Sequence, residues 1–87
     1  MTRPQDAAML AALERQHRDL SIVLARLERA RRDLIPPPAT FWRGTARHAY
    51  DAALDGLART VDAGVAAVRA SRDHTQAAIA RIVSHAG

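Results

Sequence analysis

The sequence contains no cysteine and no lysine, and it has one residue each of phenylalanine, tryptophan and tyrosine. The lack of cysteine excludes a disulfide framework and a Cys-based zinc site. The apolar residues are mostly Ala, Leu and Val, which favour helix packing over a core built around aromatic side chains. The apolar run at residues 7–13 is too short to span a membrane and lacks the flanking features of a Sec signal peptide.

The positive charge comes entirely from arginine. There are 13 basic and 9 acidic residues, which give a net charge of +4. Acidic and basic residues alternate at i,i+4 spacing, as in Glu14/Arg18 and Asp55/Arg59, and this predicts solvated helix faces rather than a nucleic-acid site. The one local cluster, at residues 29–32, falls near the predicted end of the first helix. We interpret its arginines as cations that interact favourably with the helix dipole, rather than as a phosphate-binding site.

A first helix is predicted over about residues 4–35, with Thr2 and Gln5 at capping-box spacing. Its stripe advances alternately by three and four residues, as a heptad seam does. The stripe consists of Leu10, Leu13, His17, Leu20, Leu24, Leu27, Arg31 and Leu34. We interpret His17 and Arg31 as residues at the edge of the core whose polar ends reach solvent. The alternative is that they set the register of a partner.

A proline-rich turn is predicted over residues 36–44. Three consecutive prolines, residues 36–38, have no backbone N–H to continue a helix. Phe41 and Trp42 follow them, Gly44 can adopt the positive φ that a tight turn requires, and Thr45 can cap the next helix. The turn predicts an antiparallel helical hairpin with an aromatic tip.

A second helix is predicted over about residues 45–85. Its large-residue stripe is Tyr50, Leu54, Leu57, Val61, Val65, Val68, Arg72, Thr75, Ile79 and Ile82. A file of Ala, Gly and Thr lies beside this stripe and would allow another helix to approach closely. Gly56 and Gly64 lie in the helix interior, where each costs about 1 kcal/mol relative to Ala. We expect close backbone contact to compensate that cost; the alternative is a mild bend of the helix.

The predicted hairpin has more apolar surface than it can bury. Two antiparallel helices cover one stripe of each member, whereas the second helix has two apolar files and is the longer of the two. Pairing with a second hairpin would bury the remainder in a four-helix bundle. The candidate partner interface is made up of Leu10, Leu13, Leu20, Leu24, Leu27, Tyr50, Leu54, Leu57, Val61, Val65, Val68, Ile79 and Ile82.

Catalysis is not predicted. The sequence shows no nucleophile–base pair at suggestive spacing and no glycine-rich phosphate loop, so we expect neither enzymatic activity nor a bound cofactor. His48, Asp51 and Asp55 lie about one helical turn apart, yet no second group of ligands accompanies them. We therefore predict no metal site.

The stretch Trp42-Arg43-Gly44 between two helices, followed by an aromatic at Tyr50, resembles the WXG family of small helical-hairpin proteins of type VII (ESX) secretion. The resemblance covers the whole chain as one domain, residues 1–87. It implies a homo- or heterodimer that is cytoplasmic before export by a Sec-independent route and that is recognised by a secretion ATPase. By the same resemblance, Trp42 and Gly44, with Phe41 beside them, would form the secretion motif at the turn. The alternative is that Trp42 simply plugs the end of the hairpin.

One departure from this family affects the expected partner. Family members or their partners often have a Tyr-x-x-x-Asp/Glu export signal after the second helix, whereas here Tyr50 is followed by Leu54 and residues 79–87 include no acid. The signal would then come from a partner, such as the N-terminal helical domain of a secreted effector. The alternatives are a helical adaptor or toxin-neutralising partner unrelated to export, and a nucleic-acid-binding hairpin, which the interleaved acids disfavour.

Overall fold

The computed structural model describes residues 3–34 and 44–86 as two long helices that pack against each other. Helix α1 comprises Pro4–Arg32 and α2 comprises Gly44–Ala86, with 29 and 43 residues. No strand occurs in these ranges. The prediction of an all-α pair of packed helices is therefore confirmed.

Helix α1 begins without a side-chain cap. Arg3 is the N-cap residue, with extended backbone at φ −70° and ψ 149°, and Pro4 occupies the first turn. The predicted capping box includes Thr2, which lies outside the described residues, and Arg3 occupies the N-cap position. At the other end the N–H of Asp33 donates to the carbonyl oxygen of Arg29 at 3.0 Å and closes the last turn.

Helix α2 begins at a glycine in left-handed conformation. Gly44 has a φ of 64°, so the positive φ predicted there is confirmed. Thr45 lies inside the helix, and its predicted role as the N-cap is wrong. Pro36, Phe41 and Trp42, on which the predicted turn depends, lie outside the described residues.

The helices run antiparallel. The side chains of Gln16 and Thr75 are joined by a 2.9 Å hydrogen bond, and Arg31 pairs with Asp62 at 2.8 Å. As the residue number rises along α1 it falls along α2, and this register extends the first turns of α2 beyond the end of α1. The molecule measures 68 × 15 × 14 Å, with a radius of gyration of 20.2 Å, against about 12 Å for a globular chain of this length. It is a thin rod.

A heptad seam runs between the helices. On α1 every residue of the predicted stripe is half-buried or buried. On α2 a row of half-buried or buried residues steps strictly by four and three. Its first members, Arg47, Asp51 and Leu54, lie beyond the end of α1, and the seam against α1 consists of Ala58, Val61, Val65, Val68, Arg72, Thr75, Ile79 and Ile82. The sequence-based stripe placed Leu57 here, but Ala58 takes the position and Leu57 is 50% exposed. The reason is that steps of four from 57 to 61 and again to 65 would break the 3.5-residue repeat that keeps a seam facing its partner helix.

The hairpin buries very little by itself. Among the described residues, Leu24 is the one buried hydrophobic side chain, at 3% exposed, and Thr75 is the one buried polar side chain, at 4%. All other described seam residues are half-buried. Each helix touches a single neighbour, and a cylinder in contact with one other cylinder keeps most of its surface in solvent.

Ion pairs connect the two helices. Arg31 pairs with Asp62, and an Arg69 nitrogen lies 4.0 Å from a Glu28 carboxylate oxygen. The interpretation of the seam residue Arg31 as one whose charged end reaches solvent fits its side-chain exposure of 43%. Within the described residues, Arg47 and Asp51 form an i,i+4 ion pair at 3.0 Å, whereas Glu14 and Arg18, which have the same spacing, do not. Long exposed side chains gain little by closing such pairs in water.

The interior glycines of α2 are not explained by contacts inside the hairpin. A Cβ added at Gly64 would lie 4.0 Å from Leu27 Cδ1, and one at Gly56 would lie 3.9 Å from the Arg59 guanidinium. Both are ordinary van der Waals separations. The predicted close backbone contact is therefore absent at these two described positions.

Leu24→Ala should lower the free energy of unfolding by about 2–3 kcal/mol, because it removes the one fully buried hydrophobic side chain in the described ranges and leaves a cavity. Ile22→Ala is the matched control. Ile22 is 51% exposed, and its truncation should change stability by less than about 0.5 kcal/mol. Urea unfolding followed by circular dichroism measures both, and equal losses would contradict the described seam.

Gly44→Ala and Gly56→Ala should act in opposite directions. A Cβ at Gly44 meets no atom within 4 Å, but φ of 64° strains an L-residue, so stability should fall by about 1 kcal/mol. Gly56 has helical geometry and free space, so alanine there should raise stability by about 0.5–1 kcal/mol. Thermal unfolding of both variants tests this, and a stabilised Gly44→Ala would contradict the left-handed start of α2.

Candidate interaction face

The seam divides the surface of the hairpin into two sides that differ in chemistry. We call the residues that flank the seam on one edge of each helix the charged side, and those that flank it on the other edge the uncharged side. The charged side consists of Glu14, Ser21 and Glu28 on α1 and of His48, Asp55, Asp62, Arg69, Gln76 and Val83 on α2. The uncharged side consists of Met9, Gln16, Val23 and Ala30 on α1 and of Tyr50, Leu57, Gly64, Ser71, Ala78 and His85 on α2.

Part of the charged side is paired within the molecule. The Arg31–Asp62 bond of 2.8 Å and the Arg69–Glu28 contact of 4.0 Å both cross between the helices on this side. These side chains are 40–56% exposed, so they are screened by solvent and fix orientation more than they add stability. A partner that covered this side would have to desolvate several charges.

The uncharged side has no Asp, Glu or Arg along the described length of either helix. Its large apolar side chains are open to solvent: Met9 is 57% exposed, Val23 is 43% exposed and Leu57 is 50% exposed. Two further large apolar side chains are exposed elsewhere, Ile22 on the outward surface of α1 and Val83 on the charged side. The uncharged side therefore combines exposed apolar groups with an absence of charge, as the core of a protein interface does.

A short chain of hydrogen bonds fixes the alignment of the helices at this side. The Gln16 side-chain amide donates to Thr75 Oγ1 at 2.9 Å, and the Thr75 hydroxyl donates to the Ser71 carbonyl oxygen at 2.9 Å. The buried hydroxyl is thus fully satisfied. A polar pair within an apolar seam disfavours slippage by one heptad, because a shifted helix would leave Thr75 buried without its partner.

The residues predicted as a partner interface lie mainly in the seam between α1 and α2. Of that set, Leu57 is exposed, Leu24 is buried and the others are half-buried. The half-buried members keep accessible edges, so whether a partner touches them stays a prediction. Sequence reasoning missed the separation of charge into two sides, although the signal was present in the heptad positions of the acids and arginines.

The predicted secretion motif is described only in part. Gly44 is the first residue of α2, while Phe41 and Trp42 lie outside the described residues.

A shallow cavity lies at the end of the hairpin where α1 begins and α2 ends. Its volume is about 170 Å³, and Asp6, Arg81, Ile82 and His85 line it. Small-molecule sites are usually clefts of at least about 300 Å³. No group of three or more potential metal-ligating side chains occurs in ranges 3–34 and 44–86, where Asp51 instead accepts a hydrogen bond from Arg47 at 3.0 Å.

Neither described helix contains a stretch that is both long enough and apolar enough to cross a membrane. Comparisons with protein-family models, with curated proteins and with solved structures find no match to this chain.

Proposed function

We propose that this protein is an interaction subunit that buries the uncharged side of its hairpin against a partner hairpin, so that the two form a four-helix bundle. The observation that supports the proposal is the joint exposure of Met9, Val23 and Leu57 on the side without charged residues. A bundle supplies each helix with a second neighbour and completes a core that contains one buried hydrophobic side chain in the described hairpin.

The hairpin exposes more surface than a compact protein of the same mass. The chain exposes 6556 Å², whereas a compact monomer of its mass, 9.5 kDa, exposes about 5,000 Å². The excess of roughly 1,500 Å² exceeds the roughly 800 Å² that each partner contributes to a standard protein interface. The chain can therefore bury an interface of standard size and still expose at least as much surface as a compact monomer of its mass.

Within this proposal, the more specific role is that of a small type VII secretion protein, either a dimeric exported substrate or a targeting partner of a larger secreted effector. It is supported by the resemblance of Trp42, Gly44 and Tyr50, at their spacing between two helices, to the WXG pattern.

The alternative is a helical adaptor or toxin-neutralising partner that uses the same side of the hairpin without any link to export. It requires the uncharged side and makes no use of Trp42. The two roles therefore differ in the consequence of changing Trp42.

Val23→Glu and Leu57→Glu should each weaken assembly by about 2 kcal/mol, because a carboxylate would have to be desolvated where an apolar side chain is buried. Ile22→Glu is the matched control, since Ile22 neighbours Val23 in sequence, is similarly exposed and lies on the outward surface. Sedimentation velocity over a dilution series measures the association. A wild-type chain that is a stable, cooperatively folded monomer would rule out the subunit function.

Trp42→Ala should leave assembly intact and abolish co-secretion with the partner. The measurement is the amount of protein in the medium of a host with a type VII apparatus, together with the solution mass of the purified variant. Tyr50→Phe, which retains the aromatic ring, serves as the control. Unchanged secretion of Trp42→Ala would favour the adaptor role over the export role.

A further inference from the structure

We infer that the partner on the uncharged side is a second copy of this chain, stacked so that α1 crosses antiparallel over its counterpart around Val23. This inference rests on the proposed function and names the partner of the same side. It is derived from the charges at the outer rim of that side, where α1 borders solvent.

The rim of α1 beside the uncharged side contains two opposite charges that the hairpin does not use. Asp19 and Arg26 lie one heptad apart, both are exposed, and neither takes part in an ion pair within the described residues. On the charged side, Glu28 and Asp62 have partners across the seam, while Glu14 and Asp55 have no ion pair among the described residues.

The two charges bracket Val23, and this placement makes the rim self-complementary. An antiparallel copy related by a two-fold axis beside Val23 brings Asp19 of one chain level with Arg26 of the other, and the symmetry repeats the pair on the opposite side of the axis. Val23 then packs near its own copy at the centre, 43% exposed in the hairpin and covered in the pair. A parallel arrangement would instead place Asp19 against Asp19 and Arg26 against Arg26.

The α2 half of the same side allows this stacking. If the two-fold axis passes α1 near Val23, the antiparallel register of the hairpin places the same axis beside Arg69–Ala70 on α2. The uncharged-side residues nearest that level are Gly64, Ser71 and Ala78, which are small and have no charge. Small side chains let the two α2 helices approach each other while the larger Met9, Val23 and Leu57 fill the ends and the α1 half.

Charge reversal tests the inference. Asp19→Arg and Arg26→Asp should each weaken the dimer by about tenfold, because each removes two rim ion pairs and creates two like-charge contacts. The double variant Asp19→Arg/Arg26→Asp should restore dimerisation to the wild-type level. Arg18→Asp is the matched control, since it alters the net charge as Arg26→Asp does but lies on the other edge of α1.

A mixing experiment separates self-pairing from any other effect of charge. Native mass spectrometry of wild type mixed with an isotope-labelled double variant should show two homodimers and a depleted mixed dimer, because the mixed pair opposes Asp19 to an aspartate and Arg26 to an arginine. Statistical mixing would overturn the inference, as would a wild-type dimer that is insensitive to Asp19→Arg. Circular dichroism of each variant verifies that the helices are intact.

The outcomes distinguish this inference from the proposed function. A dimer disrupted by Val23→Glu but not by Asp19→Arg overturns the stacking register while the subunit function stands. A wild-type chain that is poorly folded and monomeric alone overturns self-pairing and leaves a different partner for the same side. A stable folded monomer overturns both.

Discussion

The single seam between two antiparallel helices is the constraint on which the rest of the structure depends. Each helix has one neighbour, so each can bury one narrow stripe, and among the described residues one hydrophobic side chain, Leu24, is fully covered. Most of the seam, including Val61, Val65 and Val68, is left half-buried. Because hydrophobic burial is the main favourable term in folding, a rod of this kind has little stability to spare unless a second layer covers it.

The distribution of charge decides where such a second layer can be placed. On one side of the seam, two exposed ion pairs cross between the helices, Arg31 with Asp62 and Arg69 with Glu28. On the other side no Asp, Glu or Arg flanks the seam in the described part of the chain, and the Gln16–Thr75 hydrogen bond fixes the alignment instead. Covering the first side would desolvate charges, whereas covering the second removes apolar surface from water. The difference between the two sides follows from which residues occupy the two heptad positions that flank the seam. It requires no irregularity of the backbone.

Much of this arrangement could be predicted from the residues alone, and the errors have identifiable causes. The α1 stripe from Leu10 to Leu34 was predicted residue by residue, because steps of three and four leave no other face for eight large or long side chains. On α2 an excess of small residues made Leu57 the natural member of the stripe, but Ala58 is the one that continues the repeat. The cap predicted at Thr45 failed because α2 begins one residue earlier, at Gly44, and helix ends depend on a few backbone angles that propensities specify weakly. The glycines at 56 and 64 suggested close helix contact that the hairpin does not contain.

The sequence by itself determined that there are two long helices, which of their faces are apolar, and that the start of α2 requires a residue able to adopt positive φ at Gly44. These are local properties, set by the 3.6-residue period and by allowed backbone angles. Only the tertiary structure decided that Leu57 faces solvent, that Thr75 is buried against Gln16, and that Arg31 pairs with Asp62 across the two helices. Those outcomes depend on the phase and register with which one helix meets the other, and such a relation between distant residues is not contained in either segment alone.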